Sequence, residues 1–390
     1  QYEMNYISFA GPVNDGNINH VGISYFNENN EEVDAAIDTL RKKTDKNGRI
    51  YYMARLTKPI NTSKVRIGFQ SSVRNMRIAE MNFYYYDSLE SDVDSLFTDS
   101  FHLSLRDDVN ASTIEKLQLQ LETPEEVSQE YHPFKDLIQL ELNQAKQIVE
   151  GKALQNIQEI HNEITSKKQG SLGFEGLNSW QPLGYVTYPE DTLIVYVGQE
   201  GKRNGQSVNL QLIYSQYHAE SSSFVSSPIQ LKVGKNEINM KALQSIGVEK
   251  GGSVYVQYIG NANEKIAVRV SGGQKIAALD LYHITNQSER LERVKTYIQE
   301  LQKQIGSMEE NHNVVHSGHT NVDYDYDEKN CLLGATEIML DHMLYSVSGK
   351  QILAGLSGTI DQKASQLLKS LDAMDQMMEL FYQNKGLNDN

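Results

Sequence analysis

The sequence predicts an α+β multidomain chain in which two β-sandwich modules are separated by an acidic helical segment and followed by a C-terminal helical region. Three observations carry this. Residues 1–86 and 180–285 alternate or cluster β-branched and aromatic residues between Asn, Asp and Gly turns. Residues 87–166 and 286–390 instead repeat apolar residues every three or four positions. Between them, KKQGSLGFEGLNS (167–179) is rich in Gly and Ser and reads as a linker.

In the first module INHVGISYF, RIYYMARL, SKVRIGFQ and MRIAEMNFYYY are the strand candidates. After Pro133, the residues Ile138, Leu142, Ala145, Val149, Ala153, Ile157, Ile160 and Ile164 fall on one helical stripe. Ser112 with Glu115 has the spacing of a capping box, and Thr123, Pro124 and Glu126 fit a second helix start. Residues 87–165 carry 17 acidic and 5 basic side chains, which solvated faces opposite the apolar stripe account for. In the second module TLIVYV, SVNLQLIY, IQLKV, SVYVQYI, KIAVRV and KIAALDLYHI are six short strands at sandwich spacing. Helical spacing returns at Leu291, Val294, Ile298, Leu301 and Ile305, with Ser288 as cap. CLLGATEIMLDHMLYS and ASQLLKSLDAMDQMMELFYQ read as two more amphipathic helices.

Composition excludes several function classes. At 39% hydrophobic and 22% charged, the 390 residues can fill real cores. The net charge of −15 repels phosphate backbones and anionic lipid, so nucleic acid is not an expected partner. No apolar run approaches the ~18–20 residues of a membrane span, so no membrane insertion is expected, and the chain reads as a soluble excerpt. The single Cys331 makes no intrachain disulfide and no thiolate zinc site.

Enzyme signatures are mostly missing. HExxH, which places two histidines on one helix face to hold zinc, is absent, as are GxSxG, GxxxxGK and GxGxxG. No catalytic residue and no metal ligand is therefore assigned. His312, His316 and His319 with Asp323, Asp325, Asp327 and Glu328 have the composition of a solvated loop. DSLESDVDSLFTD, from Asp87, lacks the glycine and terminal glutamate of a calcium loop. His342, among Ile338, Met339, Leu340, Met343 and Leu344, reads as a structural histidine. Trp180, Tyr185, Tyr188, Tyr214 and Tyr217 cluster at the front of the second module. They fit either sugar-stacking faces or core and cross-strand pairs. The candidate carbohydrate-binding residues are Trp180, Tyr185, Tyr188 and Tyr217.

NSWQPLGYVTYPEDTLIVYVGQ, LQLIYSQYHAE, KGGSVYVQYIGN and SGGQKIAALDLYHIT resemble the β-sandwich opening of the enhancin-like, mucin-targeting zinc metallopeptidases. EKNCLLGATEIMLDHMLYSVSGKQILAGL is similar to the helical stretch preceding the catalytic centre in that family. VRIGFQSSVRNMRIAEMNFYYYDSLESDVDSLF resembles the last strands of a discoidin-like or galactose-binding-like jelly roll running into a helical segment that accompanies such peptidases in bacterial surface proteins, and EYHPFKDLIQLELNQAK is similar to that segment. The resemblance implies jelly-roll-like sandwiches at 1–86 and 180–285, the first shorter than is usual for such modules, and a helical lead-in to a catalytic domain at 286–390. It implies host glycoproteins or mucin glycans as partners, secretion or a place on the bacterial cell surface, and a monomer. It also implies zinc in the parent's catalytic domain but no cofactor in this chain, which should be inactive alone. A purely structural spacer and a degenerate stand-alone adhesin are the alternatives.

Overall fold

A computed structural model describes residues 2–11, 18–44, 49–71, 77–86, 88–124, 131–164, 179–188, 191–216, 225–243, 251–260, 264–311 and 334–384. The chain divides into two compact units, residues 1–98 with 103–153 and residues 99–102 with 154–390.

The strands of the first unit make a sandwich. One sheet has the order β4-β5-β1-β7, from β1 (Tyr2–Ala10), β4 (Ile37–Thr44), β5 (Ile50–Thr62) and β7 (Glu80–Tyr84). The other has the order β3-β2-β6, from β2 (Ile18–Phe26), β3 (Glu32–Ala35) and β6 (Val65–Ser71). Side chains alternate across each strand, so Ile7, Phe9, Ala54 and Leu56 of one sheet meet Val21 and Ile23 of the other. Phe9 stacks on Tyr52 at 5.5 Å between ring centres and meets Phe69 edge-on at 4.8 Å.

Three helices complete this unit: α1 (Leu89–Asp94), α2 (Ala111–Glu122) and α3 (Lys135–Val149). They share a core of Val93, Ile114, Leu117, Leu121, Ile138 and Leu142. The start signals differ from those expected. Asn110, in extended backbone, caps α2 by accepting from the Thr113 amide at 3.2 Å, which places Ser112 inside the first turn. Thr123 ends α2 rather than opening a helix, and its hydroxyl donates to the Leu119 carbonyl at 2.7 Å. Pro124, lacking an amide hydrogen, follows it; Glu126 lies outside the described residues. The long stripe is also interrupted. Gly151 takes a left-handed φ of 67° just past α3, and beyond it Ile157 lies in a strand while Ile160 joins a sandwich core.

The second unit begins with that sandwich. β8 (Ile157–Glu159), β10 (Thr192–Gln199), β13 (Gly234–Asn239) and β15 (Ile266–Gly272) form a sheet of order β13-β10-β15-β8. β9 (Trp180–Thr187), β11 (Ser207–Gln216), β12 (Ile229–Lys232), β14 (Gly252–Tyr258) and β16 (Gln274–Lys275) form the other, order β12-β11-β14-β9-β16. Leu193, Val195, Val197, Leu210, Leu212, Tyr214, Val254, Val256 and Tyr258 fill the space between them. At the start of β14 the backbones crowd: a Cβ on Gly252 would lie 2.0 Å from the Ser215 carbonyl oxygen. Gly252→Ala is therefore expected to lower stability by about 1–3 kcal/mol, measured as a shift in the denaturation midpoint.

KIAALDLYHI does not supply one sandwich strand. It splits into β16 at the sandwich edge and β17 (Ala278–Asp280) in a further sheet with β18 (Ala335–Met339) and β19 (Leu344–Ser348). β17 and β18 run parallel, β18 and β19 antiparallel. Residues 335–348, expected as helix, are thus a strand pair. All five residues of β18 are buried, so the central strand shows no two-residue period, and its apolar spacing imitates a helix. Around this sheet lie α4 (Gln287–Asn311), α5 (Gly349–Ala354) and α6 (Ile360–Asn384). The region remains largely helical, with Val294, Tyr297, Ile298, Leu301, Leu367, Leu368 and Leu371 packed together. Asn286, not Ser288, caps α4, accepting from the Ser288 and Glu289 amides at 3.0 and 3.1 Å.

β18 is covered on both sides. Toward the helices, the Thr336 hydroxyl donates to the Ala277 carbonyl at 2.7 Å and accepts from the Tyr297 hydroxyl at 2.8 Å. Toward the sandwich, Ala335 meets Val186 and Ile276, and Glu337 faces the Ser253 and Tyr255 hydroxyls of β14. Glu337 is fully buried, neither carboxyl oxygen makes a hydrogen bond of ordinary geometry, and burial pushes its pKa up to about 7.

Candidate functional site

The outward face of sheet β4-β5-β1-β7 follows from its register. Arg41, Met53, Ser8 and Asn82 lie in one cross-strand row, and Arg55, Tyr6 and Tyr84 in the next. The helical segment covers one part of this face. Phe134 is fully buried there, with the Arg41 and Arg55 guanidinium carbons 4.7 and 4.9 Å from its ring centre and the Lys43 ammonium at 5.8 Å. Arg41 pairs with Asp136 at 3.1 Å, Arg55 with Glu90, and the Lys43 ammonium donates to the Pro133 carbonyl. His132 packs against Tyr6 and Tyr86, and burial pushes its pKa down to about 4.

Beside that patch the same face holds a shallow depression of about 90 Å3, partly open to solvent and lined by Ser8, Arg49, Tyr51, Met53, Asn82 and Tyr84 among others. Its floor is buried Ser8 and Met53; Tyr51 and Tyr84 are half-buried at its sides. Glu80 accepts from Arg49 at 2.6 Å and from the Asn82 amide at 3.1 Å. Tyr84 is braced by stacking on Tyr86 at 5.7 Å. Tyr86 is fixed in turn by Asn5, whose side-chain amide donates to the Tyr86 carbonyl at 3.0 Å and accepts from its amide at 2.9 Å. Flat aromatic faces, a guanidinium fork, a carboxylate and a carboxamide around one shallow space suit a small ring bearing several hydroxyl groups.

The aromatic residues expected from the sequence are distributed differently. Trp180 lies 5.4 Å from Tyr255 between ring centres, while Tyr185 packs against the core between the two sheets. Tyr188 packs against Val186, Ile276 and Ala335, and its amide donates to Asp191 at 2.9 Å. Trp180, Tyr185 and Tyr188 are each half-buried. Tyr214 is a core residue, and Tyr217 lies outside the described residues. His312, His316, His319, Asp323, Asp325, Asp327 and Glu328 also lie outside them. His342 sits in the turn between β18 and β19, its Nδ1 3.2 Å from Asp375. The pocket residues of the first unit were not singled out in the sequence. Their signal is faint: Tyr51, Met53 and Arg55, then Glu80, Asn82 and Tyr84, are the alternate positions of two strand candidates.

No family model matches the sequence, and no curated protein sequence matches it. Among solved structures, the chain is similar to the CBM32-1, CBM32-2 and M60 catalytic domains of ZmpB from Clostridium perfringens. The identity is 15% over 91% of this chain and 34% of that one, with a TM-score of 0.39. It is similar to the catalytic module of the metalloprotease ZmpA from the same organism at 17% identity, over 52% of this chain and 36% of that one, with a TM-score of 0.33. For the IMPa metallopeptidase from Pseudomonas aeruginosa the identity is 13%, over 49% of this chain and 18% of that one, with a TM-score of 0.31. The chain thus spans about a third of the first of these structures. These structures are of metallopeptidases and their CBM32 modules, the class to which the sequence resemblance points. Among the described residues no helix is long and apolar enough to cross a membrane.

Proposed function

We propose that this chain is the non-catalytic part of a secreted or cell-surface bacterial zinc metallopeptidase directed at mucin-type glycoproteins, and that it contributes glycan recognition. The observation that carries recognition is the depression on the first sandwich, where Tyr51 and Tyr84 flank a buried floor and Arg49, Glu80 and Asn82 supply donors and acceptors. Tyrosine faces pack on the apolar side of a sugar ring while the polar groups take its hydroxyls. A shallow site of this kind binds weakly alone and gains by linkage to other modules. Trp180, Tyr185, Tyr188 and Tyr217 are a second candidate surface, supported by the sequence resemblance of the second sandwich. The zinc and the peptide-bond cleavage belong to the parent's catalytic domain.

A glycan array and a mucin pull-down test this. Tyr84→Ala and Asn82→Ala are each expected to weaken binding about tenfold, a loss of about 1.4 kcal/mol, with the thermal melt otherwise retained. Trp180→Ala and Tyr185→Ala report on the second surface. Wild-type protein that binds no glycan at high concentration would favour the spacer reading.

A further inference from the structure

Within the second unit, the sandwich and the helix-covered sheet meet along a contact that holds two titratable groups. The chain passes from one to the other between β16 and β17, where the Ile276 amide donates to the Gly184 carbonyl at 2.9 Å. His161, in the segment after β8, reaches Asp280 of β17, with Nε2 2.8 Å from Oδ2. Glu337 of β18 is pressed without any exposure onto the Ser253 and Tyr255 hydroxyls of β14. Ala278 lies opposite Glu337 and Asp280 opposite Met339, so the two groups act two residues apart along one strand pair. We propose that this contact is a pH-responsive joint, tight in mildly acidic solution and loosened above neutrality, on which the helix-covered sheet shifts against the second sandwich.

The members of both pairs are fixed in place. Fully buried Gln181 of β9 clamps residue 161, its carboxamide oxygen accepting from the His161 amide and its nitrogen donating to the His161 carbonyl, both at 2.8 Å. Asp280 is oriented by accepting from the Tyr282 amide on Oδ1 at 2.9 Å, which leaves Oδ2 for the imidazole. The Tyr282 ring packs on that imidazole at 4.8 Å between centres. Glu337 cannot turn to water, because all five residues of β18 are buried and the strand is paired on both edges.

The surrounding charges set the direction of the response. His161 is met by Asp280 from β17, by Glu163 on its own segment and by Arg293 from α4; His283 lies 3.7 Å from the same Glu163 carboxylate. Burial lowers the imidazole pKa, but the Asp280 hydrogen bond and the two carboxylate charges outweigh burial and Arg293 and hold it above the ordinary 6.5. The ionic contact is thus complete in acid and is lost as pH rises through the folded value. Glu337 is met by two hydroxyls from β14 and by uncharged Ala278 of β17 and Ser346 of β19. Burial keeps it protonated in acid, and above neutrality it becomes a carboxylate with no cation acting on it among the described residues. Opening the joint lets water reach that carboxylate. Both groups therefore favour the tight contact in acid and cease to do so above neutrality, with the same sign.

The test is thiol labelling of the full chain at pH 5.5 and pH 8. Ala335→Cys, in a background where the chain's own Cys331 is changed to Ser, places a thiol inside the contact, against Val186 and Ile276. Its labelling rate, divided by that of the same thiol in denatured chain at the same pH, is expected to rise about tenfold or more from pH 5.5 to 8. Val195→Cys in the same background, inside the sandwich core, should stay protected at both values. Glu337→Gln should remove most of the rise, and Glu337→Gln with His161→Gln all of it. Should His161→Gln fold poorly, Asp280→Asn removes the same ionic contact. A relative rate at Ala335→Cys that does not change with pH, that rises in step with Val195→Cys, or that keeps its full rise in the combined variant overturns the proposal.

Discussion

Glu337→Gln is expected to raise the melting temperature by several degrees at pH 7 and above, and to change it little near pH 4. The carboxyl group is fully buried against Ser253 and Tyr255, and burial lifts its pKa from 4.5 to about 7. Between those two values the folded chain keeps a proton that the unfolded chain has released. The folded state binds more protons, so stability falls as pH rises through this window and levels off above about 7. The full difference is about 3 kcal/mol, from 1.36 kcal/mol per pKa unit. Glutamine is neutral throughout, and its amide can donate to the same two hydroxyls, so the variant should show a flat profile where the wild type declines. Calorimetric melts from pH 4 to 8 check this. Parallel wild-type and variant curves would mean that the carboxylate is solvated.

Phe134→Ala is expected to cost about 3–5 kcal/mol and to loosen the helical segment of the first unit from its sheet. The ring is fully buried, and Arg41, Lys43 and Arg55 are arranged around it. Trimming it removes buried area and leaves these cations, paired with Asp136, Glu90 and the Pro133 carbonyl, facing a void. Phe134→Leu restores most of the apolar volume but no aromatic face. It should recover all but about 1–2 kcal/mol, the part owed to the cations. Denaturant unfolding of the three proteins gives the ordering. Leucine as damaging as alanine would place the whole effect on ring–cation contact; leucine equal to wild type would place it on volume.

Most strands were legible because each sandwich strand buries one face. SVNLQLIY and SVYVQYI show this most plainly: Leu210, Leu212 and Tyr214 face Val254, Val256 and Tyr258 across the core. The errors arose where that contrast failed. ATEIM is buried on both faces, so its spacing of apolar residues matched a helix as well as a strand. Ile157 and Ile160 continue the numerical stripe of α3, yet Gly151 turns the chain and hands them to a different core. Caps were misplaced by two residues because Asn110 and Asn286, not the nearby serines, adopt the capping role.

The candidate site was less legible. Its residues come from β1, β5, β7 and the residue before β5, and the sheet register alone brings Ser8, Met53 and Asn82 into one row. Trp180 and Tyr185, close in sequence, pack against different neighbours, one beside Tyr255 and the other in the inter-sheet core.

The placement of β18 has a consequence for how such proteins can be reassembled. Because this strand presses Glu337 onto β14 and Ala335 onto Val186 while its other face serves the helices, the described residues of 154–384 have no clean internal seam at this strand. Gene fragments cut near residue 285 would strip that covering from Ser253, Tyr255 and Val186 and yield a sticky, poorly expressed half. Shuffling by recombination is therefore expected to inherit this stretch whole.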